Sequence, residues 1–378
     1  MRRRVQVLAI AFLVPFVAVA PLHLFMPATA KAHGIPAPVQ VGISFSPLRA
    51  AYLGLDYQTA FRRLEALHFR VIRLSTYWDQ VDREGYDQLD WMMAEARKSR
   101  QPVALTVGMK ALGWPEFFIP PSVMPVDGLR QGQDVASDSS FRVAALSFVS
   151  ATVLRYRDNP AVVAWQVENE PFNRAGPQRL WIDTEFLRDE IATVRQPDRH
   201  HRPVIVNAFS HFNLVFDQAS ARQGFDFRQW LGFDADSAER DGLSVLGRGD
   251  ILGLDVYTAI GYQLLGQDHM SRADADWPDR LARVFDLAHK QGKQAWITEA
   301  QAEPWESSDL TNTNPKSTSP QAIRGIFENL KDAGFTTVLF WGSEYWLWQA
   351  DHGDTRWIET IKTILHDESR APVMALAA

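Results

Sequence analysis

The sequence predicts a single (β/α)8 TIM barrel, and three observations carry that expectation. From about residue 39 onward, short apolar, β-branched runs alternate strictly with amphipathic stretches, the pattern of a parallel sheet covered by helices. The strand–helix pairs number eight, the count at which such a sheet closes on itself. No linker-like composition divides the 378 residues, and no glycine-rich first turn supports an open nucleotide-binding sheet.

Taken in order, the first strand is expected at Val41–Ser46 and its helix at Tyr57–Leu67, where Phe61, Leu64 and Leu67 recur at helical spacing. Val71–Leu74 is the second strand, followed by a helix near Leu89–Arg97; Val103–Val107 is the third. A long loop with Trp114, Pro115 and Pro120-Pro121 then leads into a helix from about Ser140 to Tyr156. The fourth strand begins at Val162 and runs into Glu168-Asn169-Glu170-Pro171, where proline ends the ladder; Leu180–Val194 is its helix. Val204–Asn207 reads as strand five, and residues 208–248 as irregular, with short helices around Asp226–Trp230. Strand six is Ile251–Tyr257, with a helix at Pro278–Gln291. Strand seven, Gln294–Glu299, is followed by a helix from Pro320 to Ala333. Strand eight, Thr337–Trp341, is followed by the last helix, Thr355–Leu365.

Residues 1–32 stand apart as a targeting segment. Arg2-Arg3-Arg4 precede a largely apolar run from Val5 to Met26, and Ala28-Thr29-Ala30-Lys31-Ala32 offers small-residue cleavage sites. Pro15 and Pro21 interrupt the run, which favours a cleaved signal peptide, although its length also suits a retained membrane anchor. The expected organisation is therefore this segment, a barrel over residues 39–366 and a tail over 367–378, with export to the periplasm or medium. The formal charge is −6, a poor match to nucleic acid. Cysteine is absent, which excludes disulfides, thiol catalysis and cysteine-based metal sites.

A barrel of this kind places its site at the C-terminal ends of its strands, so what each strand ends on carries the chemistry. Strand two ends near Arg73, strand four at Asn169-Glu170, strand six at Asp255 and Tyr257, strand seven at Glu299 and strand eight at Trp341. A carboxylate at the mouth of a buried strand is costly unless paired or used, and here two strands share that design. Glu170 and Glu299 facing each other across a cleft meet the requirement for acid/base glycoside chemistry. Glu168 sits too near the strand body, and Glu303 and Glu306 lie in a loop, so these three rank below. Trp78, Trp114, Trp305, Trp341, Trp346 and Trp348 fall at or near loops of the same face, where aromatic rings can stack on sugars.

This pattern resembles the retaining glycoside hydrolases of clan A, particularly the cellulase-like family 5, over about residues 39–366. The resemblance implies that Asn169-Glu170-Pro171 after strand four supplies the acid/base in Glu170, and that Glu299 is the nucleophile. It further implies sugar-binding or positioning roles for Arg73, Asn169, Tyr257 and Trp341; from their strand-end and loop positions, Asp255, Trp78, Trp114 and Trp305 are expected as additional substrate contacts. Arg73 and the Tyr257 hydroxyl then favour the charged form of Glu299, and Asn169 holds the sugar 2-hydroxyl. The implied substrate is a β-linked oligo- or polysaccharide, with no cofactor and no metal. Two departures stand out. Val107-Gly108-Met109-Lys110 replaces the family's histidine after strand three, and Asp255 stands where a histidine is usual after strand six. Two other functions fit such a barrel: a metal-dependent isomerase or lyase using Glu170, Glu299, Asp255 and His211, and a barrel that binds polysaccharide without cutting it.

Overall fold

A computed structural model describes residues 38–125, 127–213, 237–306 and 315–370. The targeting segment 1–32 and the short helices expected around 226–230 lie outside the described residues.

The apolar runs form β1 (Gln40–Ser44), β2 (Ile72–Ser75), β3 (Val103–Val107), β4 (Val162–Val167), β5 (Val204–Ser210) and β6 (Ile251–Val256). A hairpin, β7 (Ala259–Leu264) and β8 (Gln267–Arg272), follows, and then β9 (Gln294–Gln301) and β10 (Thr337–Trp341). All except the hairpin pair in parallel and close in the order β1-β10-β9-β6-β5-β4-β3-β2, so the fold is a (β/α)8 barrel.

The period-2 alternation of the strands builds the barrel interior in layers. Val71, Ala104, Ala164, Ile205, Ile251 and Leu339 form an apolar layer. Two residues further along the strands stand Arg73, Thr106, Gln166 and Asn207, and four beyond Ile251 stands Asp255, all buried. The intervening residues, such as Ile72, Leu105, Trp165, Val206 and Leu252, join the larger core. The interior is therefore dry at one end and polar at the end where the strands stop.

The helices are α1 (Pro47–Tyr52), α2 (Tyr57–Glu65), α3 (Trp78–Glu84), α4 (Asp87–Ser99), α5 (Ser139–Tyr156) and α6 (Thr184–Arg195). After β5 come α7 (Ser237–Val245), α8 (Trp277–Lys290), α9 (Pro320–Asp332), α10 (Ser343–Asp351) and α11 (Arg356–Arg370). Several begin on a side-chain cap: Asp56 accepts from Thr59, Asp138 from Phe141, Asp183 from Phe186 and Ser319 from Ala322. Each such cap contributes about 1 kcal/mol.

The eight expected strands and the helices expected among the described residues are present, with ends shifted by a few residues. The last helix runs to Arg370, into the stretch expected as tail. Six elements went unnamed: α1, α3, α7, α10 and the two strands of the hairpin. α1 and α3 span 6 and 7 residues, too few for helical periodicity to register. α10 lies against the core with Tyr345, Trp346 and Leu347 all buried, so it has no polar face to mark it. The β7–β8 hairpin turns through Leu265 and Gly266, both with positive φ, as a two-residue connection requires.

Candidate active site

Two departures from regular backbone aim the carboxylates. Between β6 and β9 the register jumps from Leu254↔Ile297 to Asp255↔Glu299, and this bulge turns the end of β9 toward the barrel mouth. At the end of β4, Glu168 and Glu170 both have positive φ, 58° and 46°. Left-handed backbone at two non-glycine residues costs energy and persists only where surrounding bonds enforce it. Those bonds are present. Both oxygens of Glu168 accept main-chain N–H groups, Met109 at 2.8 Å and Lys110 at 2.5 Å. The Glu170 N–H donates to Asn207 Oδ1 at 2.7 Å. Gly108 leaves room for this arrangement: a Cβ there would stand 2.3 Å from Glu168 Oε1.

Glu170, Glu299 and Asp255 converge, with one carboxyl oxygen of each within 4.8 Å of the others, and all three are buried. Their surroundings differ. Glu299 accepts Arg73 Nη2 on Oε1 and the Tyr257 hydroxyl on Oε2. Burial pushes the Glu299 carboxyl up and the charge of Glu170 adds to this, while Arg73 and the Tyr257 bond pull it back. Glu170 Oε2 accepts from Asn173 Nδ2 at 3.0 Å and faces Lys110 Nζ at 3.8 Å. Burial, reinforced by Glu299, pushes the Asp255 carboxyl well above the ordinary carboxylate range.

A polar network fixes the pair. Arg73 donates to Ser44 Oγ at 2.9 Å, Gln166 Oε1 at 3.0 Å and Asn169 Oδ1 at 3.3 Å. Asn207 Nδ2 also donates to Asn169 Oδ1, at 2.9 Å. With its carbonyl oxygen committed in this way, the amide nitrogen of Asn169 is turned the opposite way.

The residues predicted from strand ends therefore fall into three sets. Glu170, Glu299, Arg73, Asn169 and Tyr257 meet in one network. Trp305 joins it through Tyr257, their rings 4.4 Å apart edge-on, and is partly exposed. Trp341 donates through Nε1 to Glu303 Oε1 at 2.9 Å, and Arg49 pairs with Oε2 of the same Glu303 at 2.8 Å.

Two of the expected substrate contacts need correction. Asp255 is 0% exposed, its oxygens occupied by Thr298 Oγ1 at 2.5 Å and by Asn207, so it lies beneath the site. Trp78 stacks on Phe148 at 5.1 Å inside a separate core cluster, with its face covered. Trp114 is 54% exposed, with its ring open to solvent. Trp346 is likewise core, donating to Ala302 O at 2.7 Å. Glu306 caps the main-chain N–H groups of Lys316 and Ser317.

His211 does not join the carboxylates. Its Nδ1 meets Tyr257 O at 2.5 Å and its Nε2 meets Ser271 Oγ at 2.7 Å, at the foot of the hairpin. The donors already on Glu299 and Asp255 are a guanidinium, two hydroxyls and an amide.

Gln166, Asn207 and Lys110 were missed by sequence reading. Asn207 was within reach, because it ends the expected fifth strand as Arg73 ends the second.

No family model and no curated protein matches the chain. Solved structures do match in fold. A GH5_18 protein from Streptomyces cattleya in complex with GlcNAc is 12% identical, with TM-score 0.57 over 89% of this chain and 82% of that one. A GH5_18 protein from Bifidobacterium longum in complex with Manb1-4GlcNAc is 12% identical, with TM-score 0.59 over 89% and 80%. A cold-adapted beta-galactosidase from Rahnella is 14% identical, with TM-score 0.55, covering 89% of this chain but only 56% of its own length. The fold of this chain is thus the TIM barrel that these glycosidases also use.

Proposed function

We propose that this protein is a retaining glycoside hydrolase of the clan A type, acting on a β-linked oligo- or polysaccharide. One observation carries the reading: two buried glutamates at the ends of β4 and β9 each bring a carboxyl oxygen within 4.8 Å of the other. Retaining enzymes hold their carboxyls about 5–5.5 Å apart, whereas inverting ones leave about 6.5–9.5 Å for a water. Glu299, between a guanidinium and a phenol, is suited to attack the anomeric carbon as a carboxylate. Glu170 protonates the departing glycosidic oxygen as the bond to the anomeric carbon breaks, leaving a glycosyl ester on Glu299. Glu170, now anionic, takes a proton from water, whose oxygen attacks the same carbon and releases Glu299. Asn169 is placed to hold a sugar hydroxyl, and Trp305 to stack on a sugar face. The named neighbours, including proteins solved with GlcNAc and with Manb1-4GlcNAc, support a β-linked neutral substrate.

Export is part of this proposal. It rests on the arginine-led apolar segment at residues 1–32, which N-terminal sequencing of the exported protein tests. Activity is tested on a panel of aryl β-glycosides and soluble β-glycans, with the first-formed anomer followed by proton NMR. Release of the β-anomer supports retention. Release of the α-anomer contradicts it, and tight glycan binding without turnover marks a non-catalytic barrel.

A further inference from the structure

The position after β3, where the resemblance leads one to expect histidine, holds a lysine with no access to solvent. We propose that Lys110, with Glu116 as its counter-charge, is a positioning residue for Glu170. In this role a buried ammonium pins the turn that carries the acid/base and faces its carboxylate. The proposal rests on the glycosidase reading above.

The contacts of Lys110 are concentrated on that turn. Its Nζ donates to the carbonyl oxygens of Glu170 at 2.7 Å and Asn173 at 3.3 Å. Its own N–H is held by Glu168, and its carbonyl accepts from the Asn169 N–H at 2.9 Å. Main chain and side chain together therefore bind residues 168–173, where the backbone is forced into the left-handed region. Removing the ammonium would take a donor from both carbonyls, leaving that of Glu170 to the Asn173 N–H alone, and relax the turn that aims Glu170.

An ammonium buried this completely needs anionic partners. Glu170 Oε2 is one, at 3.8 Å, and Glu116 Oε2 is the other, at 3.7 Å. Glu116 is half-buried with a φ of 79°, and its Oε2 has no hydrogen bond of its own. Burial pushes its carboxyl up to about 7; Lys110 opposes this, while Glu170 and Glu299 add to it. The other charged or titratable groups around Glu170 are Glu299 on β9, Asp255 on β6, Tyr257 beyond β6, and Arg73 on β2, which is bound to Glu299.

The consequence follows from the two-step chemistry. Glu170 must release a proton in the first step and recover one from water in the second. Lys110 Nζ, 3.8 Å from Glu170 Oε2, sets a fixed positive charge beside the negative charge that appears there between the two steps. Negative charge on Glu116 offsets that cation and so preserves the acid needed for the first.

The test follows the titration of Glu116 by carboxyl carbon NMR, together with the pH profile of kcat/KM. In Lys110→Met the Glu116 midpoint should rise by about one unit, and in Glu170→Gln it should fall. In Glu116→Gln, with Lys110 unopposed, the alkaline limb of kcat/KM should move to lower pH. Lys110→Arg, which keeps the charge, should restore most of the Glu116 midpoint. A Glu116 midpoint that ignores both Lys110 and Glu170 overturns the proposal. So does a Glu116→Gln variant that loses activity evenly at every pH, since that is the signature of a merely structural ion pair. If Lys110→Met does not fold, the Glu170→Gln and Glu116→Gln arms decide. A wild-type protein that turns over no glycoside defeats the glycosidase reading, while the Glu116 midpoint still decides the electrostatic coupling.

Discussion

Arg73 and Glu299 form an ion pair inside the barrel, their side chains 0% and 5% exposed. Two charges so far from water are stable only because each is bonded on several sides: Arg73 to Ser44, Gln166 and Asn169, and Glu299 to Tyr257. Losing one partner of such a pair leaves the other uncompensated.

Arg73→Met is therefore expected to destabilise the fold by about 3–5 kcal/mol. It also removes the main influence opposing burial at Glu299, so the carboxylate forms only at higher pH. The acid limb of kcat/KM should move to higher pH, and its maximum should fall by at least roughly a hundredfold, or about 3 kcal/mol. Urea titration and a pH–rate profile check the two effects separately. An unmoved acid limb would mean that Arg73 does not set the charge of Glu299.

Glu190 on α6 gives a prediction about stability alone. It is fully buried against Glu168, and burial, with Glu168 adding to it, holds its carboxyl well above the ordinary range. Neither of its oxygens meets a protein donor, so a proton shared between the two carboxyls is what satisfies both. The folded state keeps this proton where the unfolded chain releases it. The native contribution is thus complete below the usual carboxylate value and is lost as pH rises toward the folded one. Glu190→Gln mimics the protonated form. Its Tm should match the wild type near pH 4 and exceed it at pH 8. Equal Tm differences at both pH values would contradict the shared proton.

Much of this arrangement was legible in the chain. Glu170 and Glu299 were found because apolar strands that end in carboxylates have few structural excuses, and the barrel rule then places both on one face. Asp255 and Trp78 sit at strand or loop ends just as the true neighbours of the site do. What separates them is depth, and sequence spacing does not encode depth. The bulge in β9 brings Thr298 over Asp255 and Glu299 toward the mouth, so Asp255 supports from below. Trp78 heads α3, whose first turn packs on Phe141 and Phe148 from α5. That contact depends on tertiary packing across sixty-odd residues of chain. Lys110 looked like a departure from a family pattern, and only its buried contacts give it a role.

Trp305 offers the clearest test of sugar contact. Its ring is partly exposed and meets Tyr257, a hydrogen-bond partner of Glu299, edge-on at 4.4 Å. Trp305→Ala should lower kcat/KM on oligosaccharides by about tenfold, roughly 1.4 kcal/mol, mainly through KM. Steady-state kinetics on a substrate series checks this. A loss confined to kcat would mean that the ring only holds Tyr257 in place.

The division of labour between the two glutamates is decided by azide rescue of Glu170→Ala and Glu299→Ala on an activated aryl β-glycoside. Glu170→Ala should keep much of its first-step rate, because a good leaving group needs no proton. Azide should then raise turnover and give a glycosyl azide of retained configuration. Glu299→Ala removes the covalent route, a loss of several kcal/mol in barrier, and any azide product should have inverted configuration. Equal losses with no rescue, or products of the opposite configurations, would contradict the assignment of Glu299 as nucleophile and Glu170 as acid/base.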